Sequence, residues 1–290
     1  MEKRKFSFAT FSLIVLLAIN SCSTVALTGR KQLHLVSDEE VLSLSNQSFT
    51  EYMAEAKPST NATETAMVVR VGRRIATAVE TYLKNNGRTD DVKEFAWEFH
   101  LVQDKEPNAF CMPGGKIVVN EGILPYTQTE EGLAIVLGHE VAHAVAKHSA
   151  ERLSQQMLAS YGGVGLGLVL QGKSQGVQNL AQTVYGLGAQ VGVMLPYSRL
   201  NESEADHMGL VFAAMAGYNP EAAVPFWQRM SQQGGGTPEF LSTHPSDGNR
   251  IKRLQEWMPE ALKYYNGSAS TTTTVPGATT TKPREIHFDF

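Results

Sequence analysis

Apolar positions along the chain follow two rhythms. From Glu64 to Lys84 they return at the helical period, at Val68, Val71, Ile75, Val79 and Leu83, on a helix that Asn85-Asn86-Gly87 should end. An earlier helix should run from Ser37-Asp38-Glu39-Glu40, which has the form of a capping box, towards Ala56. From Phe95 to Leu101 the period becomes two, so that Phe95, Trp97, Phe99 and Leu101 share one face of a strand and His100 lies on the other. Asn108 to Met112 and Lys116 to Asn120 bracket Pro113-Gly114-Gly115, a turn joining a strand pair. The helical period then resumes at Leu133, Val136, Leu137, Val141, Ala144 and Val145, on a helix expected from about Gln128 to about Ala159 and opened by Thr127 with Glu130. A helix should carry Glu202 to Asp206, and another should begin at Asn219-Pro220, run to Gln233 and stop at Gly234-Gly235-Gly236. The pattern predicts an α+β fold, mostly helical, with a small sheet placed just before the Leu133–Val145 helix in the chain.

That helix carries the chemistry. His139 and His143 are four apart, one above the other on one helix face, where a single zinc ion can take a nitrogen from each. Glu140 follows the first histidine, in the spacing of a zinc hydrolase whose glutamate acts as base. An accidental cluster is the bland alternative, but a helix apolar enough to be buried should not carry two histidines and an acid without partners. Catalytic zinc usually has three protein ligands and a water. Downstream, Glu202 and Asp206 are also four apart and share a face, while Glu204 points elsewhere. Glu202 is therefore the expected third ligand, and Asp206 the acceptor that fixes a ligating imidazole. Taken alone, this acidic run would read as a solvated helix start. His148 lies five residues beyond His143, off the ligand face of a continuous helix, and reads as structural; His207 is assigned no role.

The words Asn108-Ala109-Phe110, Pro113-Gly114-Gly115, His139-Glu140-Val141-Ala142-His143, Glu202-Ser203-Glu204-Ala205-Asp206 and Ser242-Thr243-His244-Pro245 occur in that order. Together they resemble the zinc endopeptidase family of the CAAX prenyl proteases, HtpX and the mitochondrial protease Oma, with the periplasmic lipoprotein members such as BepA and LoiP as the nearest branch. The likeness runs from about Thr28 to about Met258. It implies a zincin-like (gluzincin) domain with one zinc per chain and a substrate-binding sheet edge at Asn108, Ala109 and Phe110. It also places His244 at the cleft, either as a fourth, inhibitory ligand or as a donor to the oxyanion, a role open to Arg250 as well. Unfolded or unassembled envelope proteins would be the substrates. The alternative from another class is a chaperone-like lipoprotein that holds clients while His244 caps a latent zinc.

Composition adjusts this picture at the edges. The net charge of −4 over 290 residues leaves no basic footprint for nucleic acid. Lys3, Arg4 and Lys5 precede a short apolar run from Phe11 to Ile19, the form of a secretory signal over residues 1–21, with an uncleaved anchor helix as the alternative. Ile19-Asn20-Ser21-Cys22 resembles a bacterial lipoprotein cleavage site, which implies lipidation of Cys22, an anchored segment over 22–36, and an exported, membrane-attached chain facing the periplasm. The two cysteines are Cys22 and Cys111, so the processed chain would hold no internal disulfide, and Cys111 reads as a small buried hydrophobe. Tyr161 to Pro196 is rich in glycine but contains no complete phosphate-loop motif; tightly packed or mobile helices are expected, and the family likeness suggests a lid there. The protease domain should occupy 37–265, and the Thr-rich stretch 266–290 should be a disordered tail.

Overall fold

A computed structural model describes residues 22–157, 197–232, 239–245 and 248–265. The expectations for the leader, the glycine-rich segment, the Gly234–Gly236 stop and the tail lie outside the described residues.

A hairpin of β1 (Cys22–Thr24) and β2 (Lys31–Leu33) leads into α1 (Asp38–Glu55) and α2 (Ala62–Asn85). Ser37 Oγ accepts the Glu40 N–H at 3.3 Å and caps α1, as its sequence predicts. Asn61 caps α2 through the Glu64 N–H at 3.1 Å, so α2 starts two residues before the expected Glu64. Val68, Val71, Ile75, Val79 and Leu83 are all buried. Each such aliphatic side chain contributes about 1.5–3 kcal/mol.

The sheet has three strands, β3 (Glu98–Val102), β4 (Ala109–Met112) and β5 (Lys116–Asn120), in the order β3-β5-β4. β5 is central, parallel to β3 and antiparallel to β4, and buried at every residue. Ile117 and Val119 join the main core with α2, while Val118 packs with Phe49, Val102 and Met112 beneath α1. The strand expected from Phe95 begins at Glu98 instead. Ala96 and Glu98 donate their N–H groups to the carbonyls of Gly114 and Gly115, whose φ angles of 85° and 82° curl the turn back over this segment. Phe95 stacks on Trp97 at 4.4 Å, and both pack against the core rather than offering a platform.

The central helix, α3 (Glu130–Val145), is shorter than expected at both ends. Thr129, not Thr127, is its cap, with Thr129 Oγ1 accepting the Gly132 N–H at 3.1 Å. Gln128 just before it is left-handed at φ 62°, and the buried Glu130 ion-pairs with Arg70 instead of closing a capping box. At the other end the helix breaks at Ala146 and Lys147, with Lys147 at φ 55°, and a new helix, α4, covers residues 148–157. There follow α5 (Arg199–Met215), capped by Ser198, then α6 (Ala223–Ser231), the short α7 (Glu239–Thr243) and α8 (Arg250–Ala261). α3 lies at the centre of the domain, against β4 on one side and α5 on the other. α3 and α5 touch backbone to backbone at Gly138 and Gly209, where a Cβ on Gly209 would stand 2.6 Å from the His139 nitrogen.

The break after α3 is held by charge. Lys147 Nζ lies 2.8 Å from Asp38 Oδ2 and 2.7 Å from Glu94 Oε1, tying α3 to the start of α1. Burial would raise the Asp38 carboxyl, but His34 and Lys147 bring it down to about 2. A lowered carboxyl stabilises the fold above its unfolded value of 3.8 and loses that contribution as pH falls towards 2. Because Asp38 is about one-third exposed, Asp38→Asn should cost about 1 kcal/mol at pH 7 after screening. Denaturant melts of both proteins should converge as the pH is lowered through this window.

Candidate metal centre

His139 and His143 project from α3, Glu202 from the first turn of α5, and His244 follows directly on α7. All four are buried. They each offer one ligand atom, and these atoms lie within 4.8 Å of one another. His139 Nε2 is 3.2 Å from His143 Nε2, 3.2 Å from His244 Nδ1 and 3.4 Å from Glu202 Oε2. His244 Nδ1 is 3.1 Å and His143 Nε2 3.4 Å from Glu202 Oε1. The approach of α3 to α5 at the two glycines makes this convergence possible, since a wider crossing would move Glu202 away from the histidines.

The residues fit a divalent cation. Imidazole nitrogens and a carboxylate oxygen are the donors zinc takes. Beside them the buried acids Glu202 and Asp206 share the buried guanidinium of Arg250, and the buried Glu140 lies by His244. Burial and the acids act against each other here: Asp206 and Glu202 raise the His139 imidazole to about 9 against burial, whereas burial holds His143 well below its ordinary value. Burial would likewise raise Glu202, but His244, His143 and His139 hold it well below the usual carboxylate range.

Glu140 sits next to this cluster. Its Oε1 is 3.4 Å from His244 Nε2, out of line for a hydrogen bond and with no other partner among the described residues. Burial raises its carboxyl above the ordinary range against the pull of His244 and His139. Asp206 lies 3.0 Å from His139 Nδ1, on the side of the ring away from Glu202. Arg250 forks across both acids, with Nε 2.6 Å from Asp206 Oδ2 and Nη2 3.0 Å from Glu202 Oε2, and rests 3.6 Å above the Trp227 ring. Only its Nη1 is left without a partner among the described residues. Ala109 and Phe110 lie on β4, which pairs with β5 on one side only among the described residues and packs on α3; Asn108 immediately precedes it, its carbonyl accepting the Asn120 N–H at 3.0 Å. Cys111 is buried on the same strand, and burial pushes its thiol well up. His207 stacks on Trp257, away from the cluster.

Sequence reasoning missed part of the surround. His148 is not remote: its Nδ1 is 2.9 Å from His143 Nδ1, and its Nε2 is 3.0 Å from Glu204 Oε2. The left-handed turn at Lys147 swings it back, which a continuous helix would not do. Tyr197 stacks on His143 at 4.1 Å, its hydroxyl 2.9 Å from Ser149 Oγ. The available signal was a third histidine close after the motif, with no apolar pattern to explain it.

Residues 69–258 match the family profile of Peptidase family M48. The chain is 37% identical over 251 residues to the mitochondrial metalloendopeptidase OMA1 of Schizosaccharomyces pombe, an alignment covering 82% of this chain and 66% of that protein. It is 37% identical over 199 residues to the Saccharomyces cerevisiae protein of the same name, covering 63% and 52%. The beta-barrel assembly-enhancing protease of Yersinia pestis is 34% identical over 163 residues, covering 53% of this chain and 33% of that protein. The chain thus spans from a third to about two thirds of these relatives. With its zinc-type donors gathered on α3 and α5, the chain belongs to peptidase family M48.

Proposed function

We propose that the chain is a zinc endopeptidase of the bacterial envelope, tethered by lipid at Cys22 and acting on unfolded or unassembled envelope proteins. The observation that carries the reading is the buried Glu140 carboxylate, whose Oε1 makes no hydrogen bond among the described residues, beside a cluster of His139, His143 and Glu202. The envelope setting rests on the leader-like residues 1–21 and on the name of the Yersinia pestis relative. The protease domain then spans 37–265, between an anchored segment at 22–36 and the tail at 266–290. Among the described residues no helix is long and apolar enough to cross a membrane.

Zinc bound to His139, His143 and Glu202 supplies a Lewis acid and a water of lowered pKa. Glu140 takes a proton from the attacking water and returns it to the leaving amine. Asp206 orients the His139 ring, and Arg250 holds Glu202 and Asp206 together by their carboxylates. His244 through Nε2, or Arg250 through Nη1, donates to the developing oxyanion. His244 also has the position to occupy a fourth ligand place at rest. The substrate adds a strand at the free edge of Asn108, Ala109 and Phe110, next to Glu140.

The test is incubation of the zinc-loaded chain with a reduced, unfolded protein, with new termini read by mass spectrometry. Internal cuts that a chelator removes and zinc restores are expected. An uncut client retained in a stable complex would point instead to a client-holding lipoprotein. The anchor has its own test: Cys22→Ser should move the chain from the membrane fraction to the soluble one, and a variant that stays on the membrane would remove the lipid tether.

A further inference from the structure

The two histidines of α3 are steadied in different ways. His139 has a carboxylate, Asp206, at its Nδ1. Among the described residues His143 has no acid there; its Nδ1 faces the Nδ1 of His148 at 2.9 Å. Two ring nitrogens at that distance form a hydrogen bond only if one carries a proton and the other does not. His143 turns Nε2 towards His139 and Glu202, so a neutral ring that keeps that lone pair free has its proton on Nδ1 and donates it to His148. His148 then carries its own proton on Nε2 and donates to Glu204 Oε2 at 3.0 Å. One tautomer of each ring satisfies the whole chain.

Glu204 is in turn fixed from the other end of the sequence. Arg30 Nε donates to Glu204 Oε2 at 2.7 Å, and Thr28 Oγ1 donates to Glu204 Oε1. The same guanidinium forks onto Glu151 of α4, with Nη1 and Nη2 at 2.8 and 2.7 Å from its two oxygens. Glu151 Oε2 also accepts from Asn201 Nδ2 at 2.8 Å, so Arg30 and Glu151 clamp α4 to the start of α5. His148, Glu151, Asn201 and Glu204 are all buried. Thr28 and Arg30 stand in the β1–β2 hairpin, whose loop turns through left-handed residues Leu27 and Gly29 at φ 70° and 69° and closes with Gly29 N–H on the Val25 carbonyl at 3.1 Å.

We propose that Thr28, Arg30, Glu204 and His148 form a positioning chain through which the N-terminal hairpin sets the ring orientation of the metal ligand His143. The proposal rests on the zinc reading above. These residues touch neither substrate nor zinc; they act through His143. The hairpin opens at Cys22, so the segment nearest the proposed lipid is the one that reaches this ligand.

The test measures zinc affinity of the full chain by competition with a chromophoric chelator, together with the visible spectrum of the cobalt-substituted protein. Melts of the metal-free proteins serve as the folding control. His148→Ala removes the acceptor for His143 and should weaken zinc binding by about 10–100-fold, the usual size for a group that orients a metal ligand. The cobalt bands should shift as well. His148→Gln keeps an oxygen to accept and an amide to donate, and should recover much of the affinity and the spectrum. Arg30→Gln, which frees both Glu204 and Glu151 from the hairpin without touching His148, should weaken binding in the same direction and by less, so the proposal stays testable if His148→Ala does not fold. Zinc affinity within twofold of the parent in both His148→Ala and Arg30→Gln, with unchanged cobalt bands, would overturn the proposal while leaving the zinc site standing. A parent chain that binds no zinc would instead remove the reading beneath it, and the proposal with it.

Discussion

Glu140→Gln is expected to leave zinc content unchanged and to lower cleavage of an unfolded protein by about 10²–10⁴-fold, the range that a positioned general base supplies. Glutamine preserves the side chain's shape but cannot take a proton from water at neutral pH. Zinc should stay bound because Glu140 is outside the converging group of His139, His143, Glu202 and His244. The fold should tolerate the change, since Glu140 Oε1 makes no hydrogen bond among the described residues and burial already presses the group towards its neutral form. Metal analysis and initial cleavage rates on one preparation separate the two effects. A variant that cleaves at the parent rate would mean that the proton goes elsewhere.

Gly209→Ala is expected to damage the site without touching a ligand. Its Cβ would stand 2.6 Å from the His139 nitrogen and 2.8 Å from both Gly138 C and His139 Cα. All three are backbone atoms, so no rotamer change relieves the clash and α3 must move off α5. Forced overpacking of this kind costs about 1–3 kcal/mol or more. Zinc binding should weaken in parallel, because the movement separates His139 and His143 on α3 from Glu202 on α5. Gly248→Ala is the control, since nothing lies within 4 Å of a Cβ there; it should change stability by no more than about 0.5 kcal/mol. Equal melting temperatures and zinc affinities for Gly209→Ala and the parent would show that the close crossing is not what sets the site.

These expectations differ in how far the sequence anticipated them. The buried stripe of α2, the capped start of α1 and the spacings His139–His143 and Glu202–Asp206 are periodic features, and periodicity is what a sequence displays directly. The family words brought His244 and Arg250 to the same place, and both stand beside Glu202. What escaped is aperiodic or tertiary. A left-handed backbone at Lys147 leaves no mark in the apolar pattern, so α3 read as one long helix and His148 as a residue on its wrong face. Thr127 and Thr129 both precede the helix, and only the reversed turn at Gln128 selects Thr129 as the cap. Gly138 and Gly209 are far apart in sequence, and nothing local says that each makes room for the other. The ion pairs of Arg30 with Glu151 and Glu204 likewise join segments that no motif connects.

In the proposed function, one zinc ion held by His139, His143 and Glu202 makes this chain an endopeptidase. That role of zinc is tested most directly by adding zinc stepwise to the metal-free protein and following cleavage of an unfolded substrate. Activity should rise with zinc to one equivalent per chain and then level off, and should not rise in Glu202→Ala. Full cleavage by the metal-free protein would contradict it, as would zinc bound at one equivalent with no cleavage by either the parent chain or His244→Ala.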